Sequence, residues 1–265
     1  MPDKREPLVS IVTPAYNAAA VIGETIDSVL AQSYTRWEML IVDDGSTDRT
    51  REVVRSYSER DARIRLIDMP KNSGAPAKPR NTAVEAASGE WIAFLDADDV
   101  WHPLKLENQL RVLDAEQATF SCTSMRDFRD ISEIEITDPE NVPVKEITFR
   151  MQQIKGRIPA SSVVLRTDIA REFPFNEDLS YKAVEDYDCW LKVLENKGPC
   201  LKLQYPFLMY RRIENQISGS KLYMLRRMHN LHLHYGNRRS PIRALLFSAT
   251  HAIGALYFRT IKRSL

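Results

Sequence analysis

Short apolar, β-branched runs alternate with helical patterns over the first 100 residues, and this alternation limits the folds open to the chain. The apolar runs cover residues 8–13, 37–42, 64–68 and 91–95. In the first segment between them, apolar side chains recur at helical spacing, at Val21, Ile22, Ile26, Val29 and Leu30. Strand–helix alternation of this kind predicts an α/β, doubly wound parallel sheet with right-handed crossovers.

Polar, turn-rich sequences follow three of the predicted strands. They are "PAYN" (14–17), "DDGSTD" (43–48) and "DADD" (96–99). Sheets of this class bind ligands at the carboxyl ends of their strands. We therefore expect these three loops to converge on one ligand site.

Beyond Asp99 the regular alternation ends. Helices are predicted over 103–115 and 184–195, and strands over 118–124, 158–166 and 200–211, whereas 126–150 is acidic and irregular. A chain of 265 residues, 43% of them hydrophobic, suits one large domain or one domain with an appendage.

Bulk properties exclude some functions and indicate a compartment. The net charge of +1 gives no reason to expect a nucleic-acid partner. Cys122, Cys189 and Cys200 match no metal-binding spacing, so free thiols in a reducing cytosol are expected. The opening "MPDKREP" and the short apolar run after it do not resemble a signal peptide.

The last 45 residues differ in charge from the rest. Residues 221–265 contain nine Lys or Arg and no Asp or Glu, which leaves 28 cations against 36 acids in residues 1–220. Within this tail, residues 244–258 carry none of these four residue types. As a helix they would extend roughly 22 Å at about 1.5 Å per residue, short of a bilayer core of about 30 Å.

We predict a basic amphipathic helix in the interface of an anionic membrane. The alternative is packing on the catalytic domain or a second subunit.

Asp96, Asp98 and Asp99 gather like charges directly after an apolar strand. Hard divalent cations such as Mg²⁺ and Mn²⁺ bind oxygen ligands of this kind while they also hold substrate phosphates. The alternative is capping of the helix predicted near residue 103, which explains one acid but not three. For Asp99, capping is the simpler expectation.

Asp43 and Asp44 end the second predicted strand. At that position, Rossmann-type folds hold a ribose hydroxyl, and a carboxylate there can equally accept from a base N–H. A turn at Gly45 with Asx-type bonds is an equal alternative. The chain lacks G-x-G-x-x-G and the P-loop, so a diphosphate would need a metal and basic side chains, with Lys78 and Arg80 as candidates.

A second acidic group, "VEDYDCW", opens the helix predicted at 184. Near a helix N-terminus the macrodipole favours the carboxylate form of Asp186. An ionised carboxylate facing a pocket can act as general base toward a hydroxyl. Capping by Asp188 or Glu185 is the competing interpretation.

Taken together these loops resemble family 2 glycosyltransferases with the GT-A fold. The resemblance covers residues 8 to about 221 and is carried by "VSIVTPAYN", "SVLAQSY", "WEMLIVDDGSTD", "NSGAPAKPRNTAVEAASGEWIAFLDADD", "EDYDCWLKV" and "YRRIENQISGSK". It is greatest to bacterial enzymes that build teichuronic acid, capsule or lipopolysaccharide. It implies a GT-A catalytic domain over 1–220, followed by the helical tail at 221–265.

The resemblance also implies roles for individual residues. Pro14, Tyr16 and Asp44 match positions that hold the nucleoside, and Arg80 matches a basic position at the nucleotide. Asp96 matches a contact to the ribose or sugar, and Asp98 matches a ligand of the metal. Asp186 matches the catalytic base, with Glu185 beside it. Many relatives carry a histidine where this chain has Ile213, so a third metal ligand from that loop is not expected.

The implied activity is inverting transfer of a hexose or N-acetylhexosamine from a UDP-sugar. The acceptor would be a lipid-linked glycan, on the cytoplasmic face of the cell membrane. One alternative is a haloacid-dehalogenase-type phosphatase, in which Asp96 is the nucleophile and Asp98 the acid/base. That motif usually follows the first strand, whereas here three strand–helix units precede it. The other alternative is an inactive nucleotide-sugar-binding protein.

Overall fold

The computed structural model describes residues 6–212, together with Arg227, Met228, Leu231 and Ile242. The predicted membrane-binding stretch at 244–258 and Ile213 lie outside the described residues. The helical tail predicted at 221–265 does so as well, apart from those four positions. Among the residues that are described, no helix is long and apolar enough to cross a bilayer.

The strands and helices follow the predicted order closely in the first half of the chain. The strands are β1 (Val9–Ala15), β2 (Trp37–Asp43), β3 (Ile64–Asp68), β4 (Trp91–Phe94), β5 (Val100–Trp101), β6 (Phe120–Phe128), β7 (Val144–Ile147), β8 (Val164–Arg166) and β9 (Cys200–Arg211). The helices are α1 (Ile22–Leu30), α2 (Thr50–Ser58), α3 (Ala77–Ala86), α4 (Lys105–Ala115), α5 (Phe149–Ile154), α6 (Thr167–Glu172) and α7 (Glu185–Lys197).

Within residues 6–212 these strands form one sheet in the order β3-β2-β1-β4-β8-β6-β9-β5, with β7 paired to β9. The first four strands of this order are parallel, which confirms the predicted doubly wound half. β8 then enters antiparallel between β4 and β6. β6 and β9 run parallel. β9 also pairs antiparallel with β5, the two-residue strand that directly follows the "DADD" loop.

Alternate residues of the strands face two separate cores. On one face, Ile11, Met39 and Ile41 pack with α1, α2 and α4. On the other face, Val12, Leu40 and Val42 pack with α3, α6 and α7. Strands buried on both faces read as continuous apolar runs, which is why the sequence revealed them.

In the second half of the chain, the short strands and helices differ from those predicted from the sequence. The strand predicted at 158–166 is limited to Val164–Arg166, because Ala160–Ser162 forms a 3₁₀ turn closed by the Pro159 carbonyl. The segment 126–150, expected to be irregular, contains the end of β6 and the edge strand β7. Helices α5 and α6 have six residues each, too short to show an amphipathic period.

Candidate active site

The loops after β1 and β2 are joined by hydrogen bonds, which confirms that these strand ends converge. The backbone N–H of Asn17 donates to Ser46 Oγ at 2.9 Å, and that of Thr47 donates to Asn17 Oδ1 at 2.9 Å. The predicted nucleoside residues Pro14 and Tyr16 lie at this end of β1, with Tyr16 50% exposed. An exposed aromatic ring at a strand end offers a surface on which a base can pack.

Asp44 is buried at the end of β2 and binds the loop that follows β3. Its two carboxylate oxygens accept from the backbone N–H and the hydroxyl of Ser73, at 2.9 and 2.8 Å. Gly45 has a φ of +70°, and a Cβ there would lie 2.5 Å from the backbone N of Asn72. Only glycine lets the two loops approach this closely.

The two acidic clusters meet through one buried arginine. Arg80, 4% exposed, donates to Asp96 Oδ1 at 2.7 Å and to Glu185 Oε1 at 3.0 Å. Burial alone would lower the pKa of Arg80, but the charges of Asp96 and Glu185 outweigh burial and raise it. This guanidinium therefore links the loop after β4 to the start of α7, and Glu185 is 105 residues from Arg80 in sequence.

Asp186 lies beside this ion pair in the first turn of α7. Burial and the neighbouring Glu185 raise the pKa of Asp186 to about 7, although Arg80 acts in the opposite direction. Its Oδ1 accepts from the backbone N–H of Tyr187 at 2.7 Å. A carboxylate with a pKa near neutrality is a suitable general base at physiological pH.

Helix capping does not account for the other acids of this cluster. The N-cap of α7 is Val184, which forms no side-chain cap bond. Glu185 pairs with Arg80, and Asp188 pairs with Lys192 at 2.5 Å. The backbone is strained where it enters α7. Ala183 has a φ of +71°, a conformation that costs a non-glycine residue about 1 kcal/mol.

The capping role expected for Asp99 is wrong. The N-cap of α4 is Leu104, which has no side-chain cap bond. Asp99 is fully buried, and its Oδ1 accepts from the backbone N–H of Arg211 at 3.0 Å. Asp99 therefore attaches the loop after β4 to the end of β9.

Two residues that contact the "DADD" loop were missed by the sequence analysis. Ser161 Oγ accepts from the backbone N–H of Asp96 at 3.1 Å, and the Ser161 carbonyl accepts from the Trp101 indole at 2.7 Å. Arg211 is 5% exposed and donates from Nε to the carbonyl of Asp98 at 2.8 Å. The sequence did offer a signal for Arg211, because a charged residue at an inward position of a predicted strand needs a buried partner.

Asp98 is half-buried at the strand end where the resemblance puts the metal ligand. No group of three or more His, Cys, Asp or Glu side chains in the described part of the chain is arranged to hold a metal. A Mg²⁺ or Mn²⁺ ion that is shared with substrate phosphates needs only one or two carboxylates. The hard oxygen donor of Asp98 therefore fits such a cation.

Comparisons with known proteins define the class. The family description "Glycosyl transferase family 2" matches residues 10–172. The putative teichuronic acid biosynthesis glycosyltransferase TuaG of Bacillus subtilis is 35% identical over 221 residues, covering 82% of this chain and 83% of that protein. The Escherichia coli enzyme WfgD, a UDP-Glc:α-D-GlcNAc-diphosphoundecaprenol β-1,3-glucosyltransferase, is 36% identical over 221 residues and 83% of each chain.

Solved structures show the same fold at low identity. Staphylococcus aureus TarS 1–349 in complex with UDP-GlcNAc aligns with a TM-score of 0.72 at 21% identity, covering 95% of this chain and 73% of that one. The mannosyltransferase PcManGT of Pyrobaculum calidifontis, in complex with GDP-Man and Mn²⁺, gives 0.65 at 20% identity, covering 92% and 70%.

The fold, the acidic strand-end site and these matches define a glycosyltransferase with the GT-A architecture. The chain belongs to glycosyl transferase family 2, as the resemblance predicted. This assignment leaves the phosphatase alternative without support. The matched family region ends at residue 172, before Glu185 and Asp186, so the roles of these two residues rest on the geometry of this site and on the resemblance.

Proposed function

We propose that this glycosyltransferase moves a hexose or N-acetylhexosamine from a UDP-sugar to a hydroxyl of a lipid-linked glycan, with inversion, in cell-surface polysaccharide biosynthesis. The observation that carries the proposal is the Arg80 bridge, which holds Asp96 of the predicted donor site beside the Glu185–Asp186 pair. The name of WfgD, which specifies a UDP-glucose donor and a diphosphoundecaprenol acceptor, supports both substrate classes.

In this proposal the donor lies across the strand ends. Pro14, Tyr16 and Asp44 hold the nucleoside. To bind the base, the Asp44 carboxylate must either give up its hydrogen bonds from Ser73 or accept from Ser73 and the base together. Asp96 and Arg80 lie at the ribose and nucleotide. Asp98 would bind Mn²⁺ or Mg²⁺, which supplies charge neutralisation for the leaving diphosphate.

Asp186 performs the proton transfer. Its carboxylate takes the proton of the acceptor hydroxyl while that oxygen forms a bond to the anomeric carbon of the sugar. The bond from the anomeric carbon to UDP breaks on the opposite face, and UDP leaves with the bonding electron pair. A single displacement of this kind inverts the anomeric configuration. Burial and the charge of Glu185 raise the pKa of Asp186 to about 7, against the opposing effect of Arg80.

A donor panel tests the proposed function directly. Full-length protein with Mn²⁺ should melt at a higher temperature in the presence of one or more UDP-sugars. A ligand at 100 times its Kd stabilises by about 2.7 kcal/mol, which corresponds to roughly 5–10 °C for a domain of this size. GDP-mannose and UDP without metal are the controls. A shift with GDP-mannose and none with any UDP-sugar would contradict the UDP assignment.

We further propose a cytoplasmic protein bound peripherally to the inner face of the cell membrane through residues 221–265. The nine cations of this tail and its uncharged stretch support binding to anionic lipid. Within the described residues, Cys122, Cys189 and Cys200 are buried free thiols, as a reducing compartment allows.

Liposome flotation tests the role of the tail. The full-length chain should float with anionic vesicles, whereas a chain that ends at Ser240 should stay in the dense fraction. Neutral phosphatidylcholine vesicles are the control, because the basic residues attract only anionic lipid. Equal flotation of both proteins would contradict the membrane role, and a large drop in the melting temperature of the shortened chain would favour packing on the protein.

A further inference from the structure

Arg211, the last residue of β9, contacts three acidic residues that are far from it in sequence. Its backbone N–H donates to Asp99 Oδ1 at 3.0 Å, and its Nε donates to the Asp98 carbonyl at 2.8 Å. One of its terminal nitrogens donates to Glu24 of α1. The side chain is 6% exposed, so these interactions form largely out of contact with water.

The loop backbone is held on both sides of the Asp98 side chain, by Arg211 on one side and by Thr25 on the other. Arg211 holds the peptide that joins Asp98 to Asp99, because it donates to the Asp98 carbonyl and to the Asp99 carboxyl. On the preceding side, the Ala97 carbonyl accepts from Thr25 Oγ1 at 2.9 Å. Thr25 follows Glu24 in α1, so one guanidinium joins β9, the loop and the helix that supports it.

Arg211 and Arg80 contact the loop in different ways. The Arg80 guanidinium forms an ion pair with the Asp96 carboxylate. The Arg211 guanidinium binds the Asp98 backbone carbonyl and pairs with Glu24, while the Arg211 backbone N–H binds the Asp99 carboxyl. Arg211 therefore acts on the backbone of the loop, and Arg80 on one of its side chains.

We propose that Arg211 is a positioning residue that fixes the backbone of Asp98 so that its carboxylate binds the divalent cation of the donor complex. This inference rests on the proposed function, because it assumes a cation at Asp98. Arg211 acts through the Asp98 carbonyl and Asp99, not through contact with substrate. Partners behind a metal ligand typically change metal affinity about 10–100-fold when they are removed.

The test is Mn²⁺ affinity in the presence of UDP, measured from the electron paramagnetic resonance signal of free Mn²⁺. Arg211→Lys keeps the charge but loses the planar fork that reaches both the carbonyl and Glu24. We expect its Kd for Mn²⁺ to rise about tenfold. Excess Mn²⁺ should restore most of the transfer rate.

Arg212→Lys is the matched control. Arg212 is the next residue, is 41% exposed and pairs with Asp127, so Mn²⁺ affinity should not change. If Arg211→Lys does not fold, Glu24→Gln removes the negative charge that pairs with the same guanidinium and should weaken Mn²⁺ binding about threefold.

The outcomes separate this inference from the proposed function. A lower melting temperature with unchanged Mn²⁺ affinity in both Arg211→Lys and Glu24→Gln would overturn the positioning role and leave a structural one. Wild-type protein that binds no Mn²⁺ with UDP would instead overturn the metal assignment in the proposed function.

Discussion

Replacement of Asp186 by Asn is expected to lower sugar transfer by about 10³-fold, within the range found for loss of a general base. The amide has the shape of the carboxyl group but cannot take the acceptor proton. UDP binding with Mn²⁺ should stay within about threefold of wild type, because Asp186 is assigned to the acceptor and not to the nucleotide. UDP release with a lipid-linked acceptor gives the rate, and calorimetry gives the affinity.

The pH dependence should identify the same carboxyl group. Since the pKa of Asp186 is raised to about 7, kcat/KM for the donor should fall tenfold per unit as pH decreases below 7. Glu185→Gln removes a neighbouring negative charge, so the pKa of Asp186 and the acidic limb should move to lower pH. An unshifted limb in that variant would assign the titration to another group.

Stability gives a second readout for Asp186→Asn. The pKa of Asp186 is raised from 3.8 to about 7 on folding, so its ionisation destabilises the fold increasingly between these two pH values and to a constant extent above pH 7. The variant should therefore melt at a higher temperature than wild type at pH 8.5, and at about the same temperature near pH 4. Glu195→Gln, on the exposed part of α7, should leave the transfer rate unchanged. Wild-type transfer by Asp186→Asn would show that another group is the base.

Replacement of Arg80 by Met is expected to destabilise the protein by about 3–5 kcal/mol, the usual cost of removing one member of a buried ion pair. Glu185 would remain 3% exposed without its arginine partner, and Asp96 would lose its 2.7 Å partner. The melting temperature should fall by about 10 °C. The deficit should be larger at pH 8 than at pH 5, because protonation of Asp186, whose pKa is raised to about 7, removes one of the negative charges that Arg80 no longer offsets.

A double variant separates the ion pair from other effects of Arg80. Arg80→Met with Glu185→Gln should recover part of the lost stability, by about 1–3 kcal/mol relative to additivity. Thermal melts of the four proteins complete the cycle. If Arg80→Met loses UDP affinity but keeps the wild-type melting temperature, its main role is at the nucleotide and not in the bridge.

The sequence predicted those parts of the site that depend on local order along the chain. Strands buried on both faces gave continuous apolar runs, and the polar sequences after them had to meet at one edge of a parallel sheet. "PAYN" and "DDGSTD" do so through Asn17, Ser46 and Thr47. The resemblance supplied the family, which the comparisons confirm.

The contacts between distant segments could not be predicted in the same way. Arg80 meets Glu185 across 105 residues, and Arg211 meets Asp99 across 112. No periodicity encodes such pairs, since they depend on how β8 and β9 enter the sheet. The role of Asp99 was mistaken for this reason, because its partner comes from a strand added much later in the chain.

Two apolar side chains of the tail region have a practical consequence for producing the protein. Met228 and Leu231 are 8% and 2% exposed and pack with Val184, Tyr187 and Leu191 of the segment that begins α7. A protein shortened at residue 220 would leave this apolar surface bare beside Asp186, and bare surface of this kind promotes aggregation. Recombinant fragments intended for crystallisation or assay should therefore extend beyond Leu231. Loss of activity in shorter fragments would then reflect damage to α7, the helix that carries the proposed base, whatever the tail does at a membrane.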